Sequence, residues 1–223
     1  MTRPSTLVAV AGTGTEVGKT WVAAAVCARL RAAGTGVAAR KPAQSFEPDD
    51  PPSGTDAALL GDATGEPAER VCPPHRWYPV AMAPPMAADA LGLPPLRVHE
   101  LLDEIGSSWP DPAVDVGLVE LAGGPWSPIT HDADGIDLTA AIGPDVVVLV
   151  ADAGLGTLNA VRPAFTTLAA IAPVIVVLNR FDEHDDLHRR NRSWLVDREG
   201  IDVVVGIERL CRTLSGWPAP PSR

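Results

Sequence analysis

The sequence predicts an α/β protein: a doubly wound, mainly parallel sheet in a single domain. Three observations carry this. Short runs of Val, Ile, Leu and Ala recur with longer helical patterns between them, an alternation that lays helices over both faces of a sheet. The later runs, at residues 115–119, 145–150 and 174–178, are almost continuously apolar, as strands buried on both faces are. The first run opens into a glycine-rich loop and then an alanine-rich helical stretch, the strand–loop–helix order of a phosphate-binding unit.

In chain order, residues 6–11 make the first strand and residues 20–33 the first helix, closed by Gly34. Residues 37–40 make a second strand, and residues 55–64 and 97–105 read as helices. Residues 158–171 fit the crossover helix between the strands at 145–150 and 174–178, and residues 201–205 a last strand. Between Glu66 and Pro95 eight prolines interrupt this rhythm. Proline cannot donate to a ladder and pushes its predecessor towards extended backbone. That stretch is expected to be an ordered excursion over the surface, either a wall of the substrate site or a plain connector. The domain is expected to span residues 1–215, with the proline-rich tail 216–223 disordered.

With 46% hydrophobic and 21% charged residues the 223-residue chain can bury a large core, and with 4% aromatics that core must be aliphatic. A net charge of −10 excludes non-specific capture of nucleic acid or of a membrane surface. An anionic ligand must therefore be held by local cations. Cys27, Cys72 and Cys211 are far apart and show no metal-binding spacing, which reads as reduced thiols. Residues 1–5 do not read as a signal peptide and no apolar run approaches a membrane span, so a cytoplasmic protein is expected.

Of 18 basic side chains only Lys19 and Lys41 are lysines. An ammonium is a compact point charge where guanidinium is a planar fork, and both lysines follow predicted strands. The run Gly12-Thr13-Gly14-Thr15-Glu16-Val17-Gly18-Lys19-Thr20 stands between the first strand and the first helix, the setting a phosphate loop requires. Its glycines let backbone N–H groups turn inward, and the following helix directs its positive end at the phosphates. Lys19 is then the β/γ-phosphate lysine and the Thr20 hydroxyl a Mg²⁺ ligand. The strict pattern has glycine where this chain has Thr13, and Gly12 lies one residue earlier, so the loop is a lengthened variant. A glycine-rich turn without nucleotide is the plain alternative.

Magnesium needs oxygen ligands and keeps several waters. Glu120, ending the strand at 115–119 and preceding Ala122-Gly123-Gly124, falls at the carboxyl edge where such sheets bind ligands. Asp56 is a second candidate, or an ordinary first-turn helix acid. Glu16 either assists the metal or faces solvent. Lys41-Pro42-Ala43-Gln44-Ser45 begins where the second strand ends. Its lysine and serine can meet an anion beside the γ-phosphate, or Lys41 is a surface turn lysine. His131, Asp134, the tryptophans and the run at 189–192 read as structural or solvated.

These motifs together resemble the dethiobiotin synthetase family, P-loop NTPase-like α/β enzymes. The likeness covers most of residues 6–179. Gly12 to Thr20 is similar to the family's lengthened phosphate loop, Lys41-Pro42-Ala43-Gln44-Ser45 to its Lys-Pro-x-x-Ser/Thr motif, and Thr55-Asp56 to the segment bearing its magnesium aspartate. Glu120-Leu121-Ala122-Gly123-Gly124 resembles its Glu-Gly-Ala-Gly-Gly segment, Leu155-Gly156-Thr157-Leu158-Asn159 a helix start, and Asn179-Arg180 the place of an adenine-reading asparagine.

The resemblance implies Mg²⁺- and ATP-dependent closure of 7,8-diaminononanoate and CO₂ to a cyclic urea, through a carbamate that ATP phosphorylates. It implies ATP held by Gly12, Gly14, Thr15, Glu16, Val17, Gly18, Lys19, Thr20, Glu120, Asn179 and Arg180, and metal held by Thr20, Asp56 and Glu120. Lys41, Lys19 and Ser45 would be catalytic. Lys41 and Ser45 would also bind substrate, with the substrate carboxylate at Gly156, Thr157, Leu158 and Asn159 of a second subunit, hence a homodimer. Phe46 and Leu121 stand where the family has glycine and Ala160 where it has histidine, while the loop at Gly206 matches poorly. Two alternatives remain at this stage, besides a nucleotide-binding module without catalysis, which leaves Lys41 unexplained. One is a paralogous ATP-dependent ligase with another substrate. The other is a regulatory ATPase of the partitioning type, against which stands Gly14 at the position of that class's signature lysine.

Overall fold

The chain is described by a computed structural model over residues 3–217. It runs β1 (Thr6–Gly12), α1 (Lys19–Ala32), β2 (Val37–Arg40), β3 (Gln44–Ser45), α2 (Asp56–Thr64), α3 (Ala68–Val71), β4 (Trp77–Tyr78), α4 (Pro84–Ala90) and α5 (Val98–Ser108). Then follow β5 (Val116–Glu120), α6 (Gly135–Ile142), β6 (Val146–Asp152), α7 (Thr157–Ala169), β7 (Val174–Asn179), α8 (Asp186–Ser193), β8 (Val203–Val204) and α9 (Ile207–Ser215). The main sheet has the order β2-β5-β1-β6-β7-β8, and every neighbouring pair is parallel. The doubly wound fold expected from the sequence is thus the one observed.

Side chains alternate along β1 and divide between two cores. Leu7, Ala9 and Ala11 pack with Leu101, Leu138, Val161 and Leu168 from α5, α6 and α7. Val8 and Val10 pack with Val22, Val26, Leu60 and Leu210 from α1, α2 and α9. All the strands run one way, so Gly12, Glu120, Asp152 and Asn179 finish at one edge of the sheet. That edge carries the loops described below.

The proline-rich stretch is ordered locally. Its β4 pairs in parallel with β3, Gln44 opposite Trp77 and Ser45 opposite Tyr78. Tyr78 packs with Ala43, Ala87 and Ala88 into a small core of its own. Arg76 donates to Glu104 of α5 at 2.6 Å, which ties the excursion to the main body. The last strand is shorter than expected, only Val203–Val204. Of the expected tail, Trp217 packs partly buried against the core and its N–H donates to Leu214 O, while residues 218–223 lie outside the described residues. Among the described residues no helix is long and apolar enough to cross a membrane, and Cys27, Cys72 and Cys211 are all free and buried.

Candidate active site

Local backbone chemistry shapes the phosphate loop. Gly18 sits at φ 91°, a left-handed conformation that favours glycine. A Cβ there would also come within 2.1 Å of Asn179 Nδ2. At Gly12 a Cβ would lie 2.8 Å from the Lys19 stem, so glycine lets that lysine fold back beneath the loop. Lys19 Nζ donates to Gly14 O at 2.8 Å. Burial, aided by the charge of Lys41, pulls Lys19 down to about 8. It is a cation short of solvent, and an anion beside it would raise that value again.

Beside this loop four residues from four segments converge. Thr20 Oγ1 lies 2.8 Å from both Asp56 Oδ1 and Glu120 Oε1, one hydroxyl proton between two acceptors. Lys41 Nζ lies 2.7 Å from Asp56 Oδ2 and 2.6 Å from Glu120 Oε1. Lys41 is 3% exposed and Glu120 1%. Burial alone would discharge Lys41, but the two carboxylates outweigh it and hold the lysine well above its ordinary value. Burial likewise pushes Asp56 up, yet Lys41 and the Thr20 hydroxyl keep it below the usual range. Glu120 is pushed up, first by burial and then by Asp56, against the pull of Lys41.

Thr20, Asp56 and Glu120 fit a magnesium ion. Glu120 Oε2 is buried without a partner, and two carboxylates share one hydroxyl. Among the described residues no three His, Cys, Asp or Glu cluster as a metal cage. Two carboxylates and a hydroxyl are what Mg²⁺ takes when phosphates and water complete its shell. Lys41 is buried and so is not a surface turn lysine, while Asp56 does stand in the first turn of α2 and in addition pairs with Lys41.

Three adjoining cavities surround the cluster. The central one, about 520 Å³, is walled by Thr15, Glu16, Lys19, Thr20, Lys41, Gln44, Asp56, Glu120 and Arg180. A second, about 470 Å³, shares Thr15, Glu16 and Ser45 with it and continues over Phe46, Met82, Pro84 and Ser127. Ser45 Oγ donates to Met82 O at 2.6 Å there, so the proline-rich excursion does wall this cavity. The third, about 700 Å³, shares Gly18 and Arg180 with the first and is lined by Trp21, Asn179, Phe181, Gly206 and Ile207. Asn179 Nδ2 donates to Val17 O at 3.0 Å. Arg180 bonds Asp152 and Glu16 O, and both Arg180 and Glu16 hold positive φ.

Other expected site residues take different places. Gly12, Gly14 and Val17 shape the loop and line none of these cavities. Gly156, Thr157, Leu158 and Asn159 start α7 and are likewise absent from the three walls, so within one chain they do not join Lys41 and Ser45. Leu121 is 1% exposed in the main core, its N–H donating to Val10 O. Its bulk is therefore absorbed by packing, whereas Phe46 does reach the second cavity. Trp21, Phe181 and the Gly206 loop were not read from sequence as site residues. The only signal for Trp21 was its place directly after Thr20.

Fold, loop and acidic cluster define a nucleotide-binding protein of the P-loop class. The family described as AAA domain matches residues 6–213. The chain is 37% identical over 171 residues to the ATP-dependent dethiobiotin synthetase BioD of Caulobacter vibrioides, covering 75% of this chain and 77% of that one. Proteins of the same name from Anaeromyxobacter dehalogenans and Rhodococcus jostii are 39% and 36% identical, over 87% and 90% of this chain and 87% and 85% of theirs. A solved LAO/AO transport system kinase matches with a TM-score of 0.53 at 16% identity, over 97% of this chain and 60% of its own length. That likeness concerns fold alone. The chain belongs to the dethiobiotin synthetase family.

Proposed function

We propose that this chain is the ATP-dependent C–N ligase that converts 7,8-diaminononanoate and CO₂ to dethiobiotin, in biotin biosynthesis, with Mg²⁺ as its metal. The carrying observation is the meeting of Thr20, Asp56, Glu120 and Lys41 between the phosphate loop and the Ser45 cavity. In this reading one substrate amine adds to CO₂, forming an N–C bond and losing a proton, to give a carbamate. A carbamate oxygen attacks the γ-phosphorus and ADP leaves. The second amine then attacks the carbonyl carbon, expels inorganic phosphate and closes the ring. Such transfers depend on positioning and charge neutralisation more than on covalent help.

Lys19 and the loop amides hold the β- and γ-phosphates, and Lys41 neutralises the carbamate as it nears the γ-phosphate. Ser45 guides it by hydrogen bond. Thr20, Asp56 and Glu120 would hold Mg²⁺, which when bound offsets phosphate charge. The cleft of Trp21, Asn179 and Phe181 takes the base. The Phe46 and Met82 cavity suits an aliphatic chain. The substrate carboxylate lies at the helix start, residues 156–159, of a second subunit, which makes the protein a homodimer. A cytoplasmic location goes with this reading.

The test is phosphate release from Mg·ATP on adding the diamine and bicarbonate, with dethiobiotin identified by mass. Release and product are expected. Normal ATP binding without release would shift the assignment to a ligase of another substrate, for which Phe46 in the cavity wall is the favouring observation.

A further inference from the structure

Two residues that line the central cavity each carry a buried polar atom without a partner, and the two atoms are opposite in kind. Glu120 Oε2 is an acceptor, which a cation answers, and Gln44 Nε2 is a donor. Gln44 is 2% exposed and lines the cavity with Lys19, Thr20, Lys41 and Asp56. Its amide is not free to turn. Gln44 Oε1 accepts the Ala57 N–H at 2.9 Å, and exchanging oxygen for nitrogen would set a donor against that N–H. The nitrogen is therefore committed away from α2 with nothing in the protein to receive it. Buried donors are rarely left so.

We infer that Gln44 Nε2 donates a hydrogen bond to an oxyanion bound between Lys41 and the phosphate loop, and so touches the reacting group. A neutral amide donor suits a place that already holds Lys19 and Lys41 against two carboxylates, because it adds a directed bond and no charge. The same amide grips the first turn of α2, where Asp56 sits, so the anion seat and a metal ligand share one side chain. The inference rests on the function proposed above. It adds a residue that function did not require. Two oxyanions of that reaction qualify, the carbamate and the phosphoryl group in transfer.

Two variants separate contact with the anion from mere bracing of α2. Gln44→Glu keeps an oxygen for Ala57 N–H and replaces the donor, while Gln44→Met keeps the volume and removes both functions. Phosphate release, melting temperature and calorimetric affinity for a non-hydrolysable Mg·ATP analogue are measured on the full chain. Both variants are expected to lose about 100-fold in kcat/KM, the scale of one oxyanion donor, with analogue affinity little changed in Gln44→Met and the loss present well below each variant's melting temperature. A loss expressed as a raised KM for bicarbonate assigns the carbamate; a loss in kcat alone assigns the phosphoryl group. Wild-type turnover by Gln44→Glu, or activity that falls only where melting temperature falls, overturns the inference. A wild type that releases no phosphate overturns the function reading and this inference with it. Active wild type with active variants overturns this inference alone.

Discussion

Lys41 is a buried cation held between two carboxylates, 2.7 Å from Asp56 and 2.6 Å from Glu120. Removing one partner from such a group leaves uncompensated buried charge, at a cost of about 3–5 kcal/mol. Lys41→Gln should therefore melt lower than the wild type without metal, and Mg·ATP should restore part of the difference by neutralising Asp56 and Glu120. Turnover should fall by about 100-fold or more, since an electrostatic stabiliser of the transferring group is lost. Phosphate-release kinetics and thermal melting with and without Mg·ATP check both halves. Turnover near wild type would remove Lys41 from the chemistry. The neighbouring Gln44 was quoted in the sequence motif yet assigned nothing there, because its significance lies in which way its amide is locked, and only the Ala57 bond reveals that.

Among the elements, legibility followed burial. The central strands announced themselves, since β1, β5 and β6 are apolar on both faces. Helix α8 did not, being polar almost throughout, and it is started by Asp185 accepting from the N–H groups of Leu187 and His188. Such a helix leaves no apolar period to read. β3 and β4 are two residues each and pair across a long separation, so no local pattern could show them. The phosphate loop and the carboxylates Asp56 and Glu120 were legible because each stands where a strand or loop meets a helix at the carboxyl edge of the sheet, in a recognisable motif. The cleft beside Asn179 and Arg180 was legible only in those two residues, because Trp21, Phe181 and Gly206 are brought to it by the packing of β7 and α9 against α1. The excursion is held to α5 by Arg76 and Glu104. Burial pushes the Glu104 carboxyl up, but its bonds from Arg76 and His75 prevail and leave it below its ordinary 4.5. With a folded value below the unfolded one, this stabilisation is present above pH 4.5 and vanishes as pH falls through the folded value. Glu104→Gln should lower stability by about 1 kcal/mol at neutral pH after solvent screening. Melting curves of variant and wild type should converge in acid. A gap that stays constant with pH would show that the pair contributes no such charge term.

At the scale of the molecule, the start of α7 and the Lys41 cluster are separate places on one chain, and the proposed dimer joins them across subunits. Complementation tests this. Lys41→Gln and Asn159→Ala homodimers should each be weak, and mixing them after reversible dissociation should restore about a quarter of wild-type activity. Half of random dimers are mixed, and each mixed dimer contains one undamaged site of two. No recovery on mixing would place the whole site within one chain. The bond from Asn179 to Val17 O has a reach of its own. It fastens the end of β7 to the loop that closes on phosphate, so the seat for a base and the seat for a phosphate tail cannot drift apart. On the proposed function that single bond would make the sheet a caliper, its two jaws set for the span of a nucleotide.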